Sequence, residues 1–169
     1  GDPLAVPPGK KVVIGITGEP GAGKSALARA LAQLGGRLVD ADAIGHDLIE
    51  QTHIKRELAQ RFGDGIIGAD GGIDRRALAA KAFADADATA ALNRIVHPEL
   101  SRRLREAVGR AGSFAVLDCA LLHELGINDA CTGTVYVYAP REARADRVQA
   151  RGWDESELAR REAALGSAD

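Results

Sequence analysis

Lys24 and Ser25 close the string Gly18-Glu19-Pro20-Gly21-Ala22-Gly23-Lys24-Ser25, which has the spacing G-x-x-x-x-G-K-[ST] of a loop that wraps a polyphosphate. Each position has a physical task. Gly18, Gly21 and Gly23 let backbone N–H groups converge on an anion, because glycine accepts the positive φ angles that such a nest needs. Pro20 and Ala22 complete the loop, and Ala26 follows it into the next element. Lys24 brings a mobile ammonium to the outer phosphates and Ser25 offers a hydroxyl to Mg²⁺. A helix starting there directs its positive dipole end at the same anion. The competing reading is a glycine-rich turn with a solvated lysine. It is disfavoured by context, since an apolar run (residues 12–17) precedes the loop and an amphipathic stretch follows.

Carboxylates and arginines make up the second group. Asp40-Ala41-Asp42 sits at the end of the strand-like run 37–40. In an extended segment residues i and i+2 point the same way, so both are expected to face the cleft at the carboxyl edge of a sheet. One would take a proton from an attacking hydroxyl while the other orients it or a Mg²⁺-bound water. Helix capping competes for Asp40, and Asp42 is the favoured base. Asp118 ends another strand-like run, 114–118, and is expected near the metal shell or, alternatively, bonded to loop amides. Arg144, Arg147 and Arg151, at i, i+3 and i+7, are expected to share a helix face and swing onto a transferring phosphoryl group. A solvated surface helix is the plainer alternative, with the spacing that Glu157 and Arg161 show. Arg75, Arg76 and His97 could line a pocket, although such residues more often sit in capped turns or on the surface. His46, His53 and His123 lack metal-ligand spacing.

These side chains need a scaffold, and the hydrophobic pattern predicts one. Residues 12–17 read as the central strand of a parallel sheet. Leu27, Leu31 and Leu34 mark a helix stopping at Gly35-Gly36, and with the strand 37–40 they complete a βαβ unit over 12–40. From 43 to 112 no strand signal occurs. One helix is marked by Ile44, Leu48 and Ile49, a second by Ile54, Leu58 and Phe62, and a third by Leu78, Ala82 and Phe83. Leu92, Ile95 and Val96 lead to His97-Pro98, where proline is expected to begin a separate helix with the stripe Leu100, Leu104 and Val108. Strands return at 114–118 and 134–138, and an Arg-rich helical stretch runs from Pro140.

Composition narrows the ligands. The 169 residues carry a formal net charge of −2 and 4% aromatics, which argues against a nucleic-acid surface and for a small anionic ligand. No apolar run reaches the roughly 20 residues that a membrane span requires. Cys119 and Cys131 form no C-x-x-C pair, in keeping with a reducing cytoplasm. Residues 1–11 read as a leader or cloning remnant, and the lack of any methionine suggests that the chain is less than a complete translation product.

Over residues 12–161 the chain resembles the dephospho-coenzyme A kinase family. The resemblance rests on Thr17 through Ser25, Val39 through Asp42, Asp74-Arg75 with Phe83, and His97-Pro98. Leu121-Leu122 with Glu124, and Glu142 with Arg147 and Arg151, extend it. It implies ATP-dependent phosphorylation of the ribose 3′-hydroxyl of dephospho-coenzyme A, with Mg²⁺. The implied fold is a three-layer α/β P-loop NTPase fold, nucleotide-kinase-like, with a helical substrate-binding insertion and a lid. The core would comprise 12–42 and 113–140, the coenzyme A region 43–112 and the lid 141–165. The family's last strand and helix would be missing. By resemblance Asp42 is the base, Lys24 and Arg147 act on the phosphoryl group, and the loop 18–26 with Arg151 holds ATP. Asp40, Asp42, Arg75 and His97 would bind substrate, and Ser25 and Asp118 the metal. A cytoplasmic monomer or weak homo-oligomer is expected, with no nucleic-acid or membrane partner. Departures from the family pattern are Ala26, His46, Ala120, His123, Arg144 and Leu165. Another nucleotide or nucleoside kinase and a catalytically impaired relative are the alternatives. A regulatory GTPase is less favoured, because Asp42-Ala43-Ile44-Gly45 fits D-x-x-G but no N-K-x-D occurs.

Overall fold

A strand flanked on both sides by other strands and covered on its faces needs a mainly apolar sequence, and Val12–Gly18 (β1) has one, with Thr17 its one polar side chain. In the computed structural model, which describes residues 9–150, the elements after β1 are α1 (Lys24–Gln33), β2 (Arg37–Asp40), α2 (Ala41–Ile49), α3 (Thr52–Phe62), α4 (Arg75–Ala82), α5 (Ala86–Arg110), β3 (Phe114–Asp118), β4 (Gly133–Val137) and α6 (Arg141–Gln149). They fall into two compact units. Among the described residues one comprises 9–41 together with 104–150, and the other comprises Asp42–Arg103.

The first unit is α/β. Its four strands pair in the order β2-β3-β1-β4 and every pairing is parallel. β1 is interior as expected, but β3 lies between β1 and β2, so the βαβ unit spans a strand that arrives more than seventy residues later in the chain. Ile16, Ala28 and Val116 are fully buried at its core, with Ile14, Leu27, Leu31, Phe114 and Val137 packed around them. α1 contributes Leu27 and Leu31 to this cluster, but Leu34 is 58% exposed. The reason is local. Leu34 is already the C-cap of α1, and the chain turns away there through Gly35 N–H bonded to Ala32 O and Gly36 N–H bonded to Leu31 O, the paired bonds of a Schellman stop. Further on, Arg105 in the last part of α5 pairs with Asp129 at 2.9 Å and donates to Gly126 O. Lys11 donates to Gly109 O.

The second unit is helical. Ile54, Leu58 and Phe62 form the buried stripe of α3, while Leu78 and Ala82 do so in α4. Phe83 is not part of that stripe. It caps the helix and is 37% exposed. Asp74 caps α4 by accepting from Ala77 N–H at 3.0 Å, and Asp85 does the same at the start of α5 by accepting from Ala88 N–H at 2.7 Å. Between α3 and α4 the chain makes a short antiparallel bridge, Ile67 to Ile73. Glu50 braces it by accepting from Ile73 N–H at 2.9 Å, and that bond holds its carboxyl below the usual range.

One expectation is corrected here. His97-Pro98 does not separate two helices, because α5 is a single helix of 25 residues with Pro98 inside it. Proline removes one rung of the ladder. Apolar side chains buried before and after it, from Ala88 and Ala91 to Leu100 and Leu104, keep the helical path continuous. Residues 1–8 of the expected leader, Arg151 and the remainder of the expected lid, and the positions Glu157, Arg161 and Leu165 lie outside the described residues.

On α5, Glu99 accepts from Arg102 at 2.6 and 2.9 Å and from Arg103 at 3.3 Å. Arg102, aided by Arg103, overcomes desolvation and holds its carboxyl at about 2, below the ordinary 4.5. A carboxylate with a lowered folded-state pKa stabilises the fold fully above its unfolded value, and that contribution is lost as pH falls toward the folded one. Glu99→Gln should therefore cost about 1 kcal/mol at neutral pH. The two proteins' urea-unfolding free energies should converge as pH falls from 4.5 toward 2.

Candidate active site

Parallel pairing sets Asp118, the last residue of β3, level with Ile16 of β1 and Asp40 of β2. This row lies at the foot of the loop between β1 and α1. Lys24, the first residue of α1, directs its ammonium onto Oδ1 of Asp118. The hydroxyl of Ser25 donates to Oδ2 of the same carboxylate at 3.2 Å. The lysine and aspartate side chains are only 14% and 7% exposed, so each charge depends on the other for its burial. Gly23 caps α1 at φ 100°, a left-handed conformation that brings the loop backbone over the helix N-terminus. Ala22 is buried, Pro20 is half-buried and Ala26 is exposed on α1. Thr17, immediately before Gly18, is buried and donates to Ala120 O at 3.0 Å.

α6 closes on the same loop. Arg147 donates from Nη1 to Gly21 O at 3.0 Å. Arg144 was expected to swing with it onto a phosphoryl group, and the structure corrects this. Arg144 is 5% exposed, donates from Nε to Ala139 O at 3.1 Å and pairs through Nη2 with Glu19 at 3.2 Å. Three residues along a helix advance 300°, and that 60° difference suffices here to bury one guanidinium and leave the other at the surface.

Asp40 and Asp42 do not lie two apart on one extended strand. β2 ends at Asp40 and α2 starts at Ala41, leaving Asp42 exposed in the first turn of a helix, where a carboxylate suits the dipole. The small and apolar Ala41, Ile44 and Leu48 give this stretch a helical period directly after the strand. The helical unit holds Asp42, Arg75 and His97. Arg75 is the first residue of α4 and donates from Nη1 to His46 Nδ1 at 2.9 Å, which requires that ring nitrogen to be unprotonated. His97 is half-buried on α5, one residue before Pro98. The geometry thus brings Lys24, Ser25, Asp118 and Arg147 together around the loop, with Asp40 beside Asp118, while Asp42, Arg75 and His97 belong to the other unit.

Glu19 is the residue that sequence reasoning passed over. Only its acidic character beside a phosphate loop, where a negative charge is unfavourable without a partner, could have drawn attention to it. Burial, reinforced by the Asp129 charge, raises the pKa of Cys131, and Cys119 is buried.

For a magnesium ion, Ser25 and Asp118 offer a hydroxyl and a carboxylate on adjacent elements. Among the described residues no group of three or more His, Cys, Asp or Glu is placed to hold a metal. One carboxylate and one hydroxyl, completed by phosphate oxygens and water, is the kind of set that magnesium accepts.

The family model described as dephospho-CoA kinase matches residues 12–167. A dephospho-CoA kinase of Mycolicibacterium paratuberculosis is 44% identical over 158 residues, covering 91% of this chain and 39% of that protein. One from Corynebacterium jeikeium is 42% identical over 159 residues, covering 90% of this chain and 81% of that one. The crystal structure of TT1252 from Thermus thermophilus superposes with a TM-score of 0.76 at 38% identity, covering 92% of this chain and 80% of the other. The chain thus spans well under half of the mycobacterial relative and about four fifths of the corynebacterial one.

Lys24→Met leaves the Asp118 carboxylate buried without its ammonium. It should lower the unfolding free energy by about 1–3 kcal/mol. ATP should raise the melting temperature of the unaltered protein through binding to the native state and leave that of Lys24→Met nearly unmoved, a comparison read by thermal denaturation with and without nucleotide.

Proposed function

The chain belongs to the dephospho-CoA kinase family, and from that membership and the loop geometry we propose that it transfers the γ-phosphoryl group of ATP to the ribose 3′-hydroxyl of dephospho-coenzyme A. The products are coenzyme A and ADP. The observation that carries the reading is the convergence of Lys24, Ser25 and Arg147 on one glycine-rich loop, with Asp118 holding the first two in place.

In this reading the loop amides, the α1 N-terminus and Lys24 hold the β- and γ-phosphates of ATP. Charge develops on the equatorial oxygens as the bond from the β–γ bridging oxygen to the γ-phosphorus breaks, and Lys24 and Arg147 neutralise it. The 3′-oxygen forms the new bond to phosphorus and its proton passes to the Asp42 carboxylate. Ser25 and Asp118 are the residues that would hold Mg²⁺, whose bound form neutralises phosphate charge. Asp40 assists at the same edge, and Arg75 and His97 bind the coenzyme A portion of the acceptor. Arg151 is assigned to ATP by resemblance alone. Residues 12–42 and 113–140 would form the nucleotide core, 43–112 the acceptor region and 141–165 the lid.

The same proposal makes the protein a cytoplasmic monomer or weak homo-oligomer without nucleic-acid or membrane partners. Its two free cysteines are in keeping with a reducing compartment. No helix among the described residues is long and apolar enough to cross a membrane.

ADP release coupled to a spectrophotometric readout should require dephospho-coenzyme A. ADP production that depends instead on another nucleoside or nucleotide would replace this substrate assignment. Asp42→Asn should lower kcat by about 10²–10⁴-fold, the usual contribution of general base catalysis. Its affinity for ATP should be unchanged by equilibrium titration, and a parallel loss of that affinity would refute the role of Asp42 as base.

A further inference from the structure

An acidic residue inside a phosphate-binding loop is electrostatically unfavourable, since it repels the anion that the loop must hold. Glu19 occupies that position, and Arg144 answers it at 3.2 Å. We propose that Arg144, anchored by Glu19, is a positioning residue that docks α6 on the phosphate loop and thereby sets Arg147 for phosphoryl transfer. The inference rests on the kinase reading above and extends it to a residue that touches none of the reacting atoms.

Three observations carry it. First, a guanidinium leaves water only where its donors are satisfied, and Arg144 is 5% exposed with Nε on Ala139 O and Nη2 on Glu19. Ala139 immediately precedes the Pro140 cap of α6, so one side chain ties the start of its own helix to the loop. Second, the backbone of α6 approaches that loop more closely than a side chain allows. Gly21 has φ +79°, and a Cβ built on it would lie 2.8 Å from Arg144 O and 3.1 Å from Val148 Cγ1. Third, the dock delivers a functional group. Nearly one turn beyond Arg144, Arg147 donates to Gly21 O at 3.0 Å and lies 3.6 Å from where a Cβ would stand on Gly23. The loop residues Glu19, Gly21 and Gly23 therefore all meet α6, Glu19 at Arg144, Gly23 at Arg147 and Gly21 at both. The arrangement also cancels the Glu19 charge next to the polyphosphate.

The test uses the full chain as the unaltered protein, Arg144→Met, Arg147→Ala and the double variant. Steady-state kinetics with dephospho-coenzyme A, Mg·ATP affinity by equilibrium titration and the thermal midpoint are measured on each. Misplacement of a positioned group is expected to lower kcat of Arg144→Met by about 10- to 100-fold. In the Arg147→Ala background the same change should cost less than about 2-fold, because the residue through which it acts is already gone. Equal losses in both backgrounds, or a lowered thermal midpoint with unchanged kcat, would overturn the proposal. Should Arg144→Met fail to fold, Glu19→Gln removes the anchoring charge with little change of volume and is subject to the same comparison. If the unaltered protein makes no acceptor-dependent ADP, the kinase reading fails. Mg·ATP affinity across the same four proteins then decides the positioning role, with non-additive losses upholding it and additive losses refuting it.

Discussion

The carboxylate of Asp118 is where the sheet and the phosphate loop become one object. It is buried at the end of β3 and receives both the Lys24 ammonium and the Ser25 hydroxyl. A buried carboxylate is tolerable only with such partners, and a buried lysine only with such a carboxylate. Loop conformation and strand register therefore stabilise each other. A slip of one residue between β1 and β3 would turn Asp118 to the opposite face of the sheet and strand both charges.

The same economy of charge recurs at the far side of the loop. Glu19 and Arg144 are both spoken for, as are the other charges at the loop, with Lys24 on Asp118 and Arg147 on Gly21 O. In the helical unit the charged residues have mostly structural partners instead. Asp74 and Asp85 cap helices, Glu50 holds the Ile73 amide, and Glu99 gathers two arginines.

Much of this was legible in the residues because it is written in local pattern. The apolar run of β1, the glycine spacing of the loop and the 3.6-residue stripes of α3 and α4 each follow from neighbours in sequence. What escaped was set by distant contacts. Nothing near Arg144 says that it will be buried, since its partner Glu19 lies 125 residues away. Strand order is equally silent in the sequence, as β3 slips between β1 and β2 only because its own apolar faces need cover on both sides. Local rules also misled in two places. Pro98 reads as a helix start, yet the burial of α5 on either side of it outweighs one missing hydrogen bond. Asp40-Ala41-Asp42 reads as extended, yet α2 begins inside it.

The strand order also constrains how the molecule comes to be folded. β1 finds its partners only far down the chain, Val12 pairing with Phe114 and Ile14 with Gly133. The central pairings therefore close very long loops, and such contacts form late and slowly. Residues 42–103 intervene between β2 and β3, and they condense through short-range helical contacts. Early collapse of that segment shortens the effective chain that must close before β3 can join the sheet. The short-range helical contacts within residues 42–103 thus bear on the loop-closure cost of bringing β3 to the sheet.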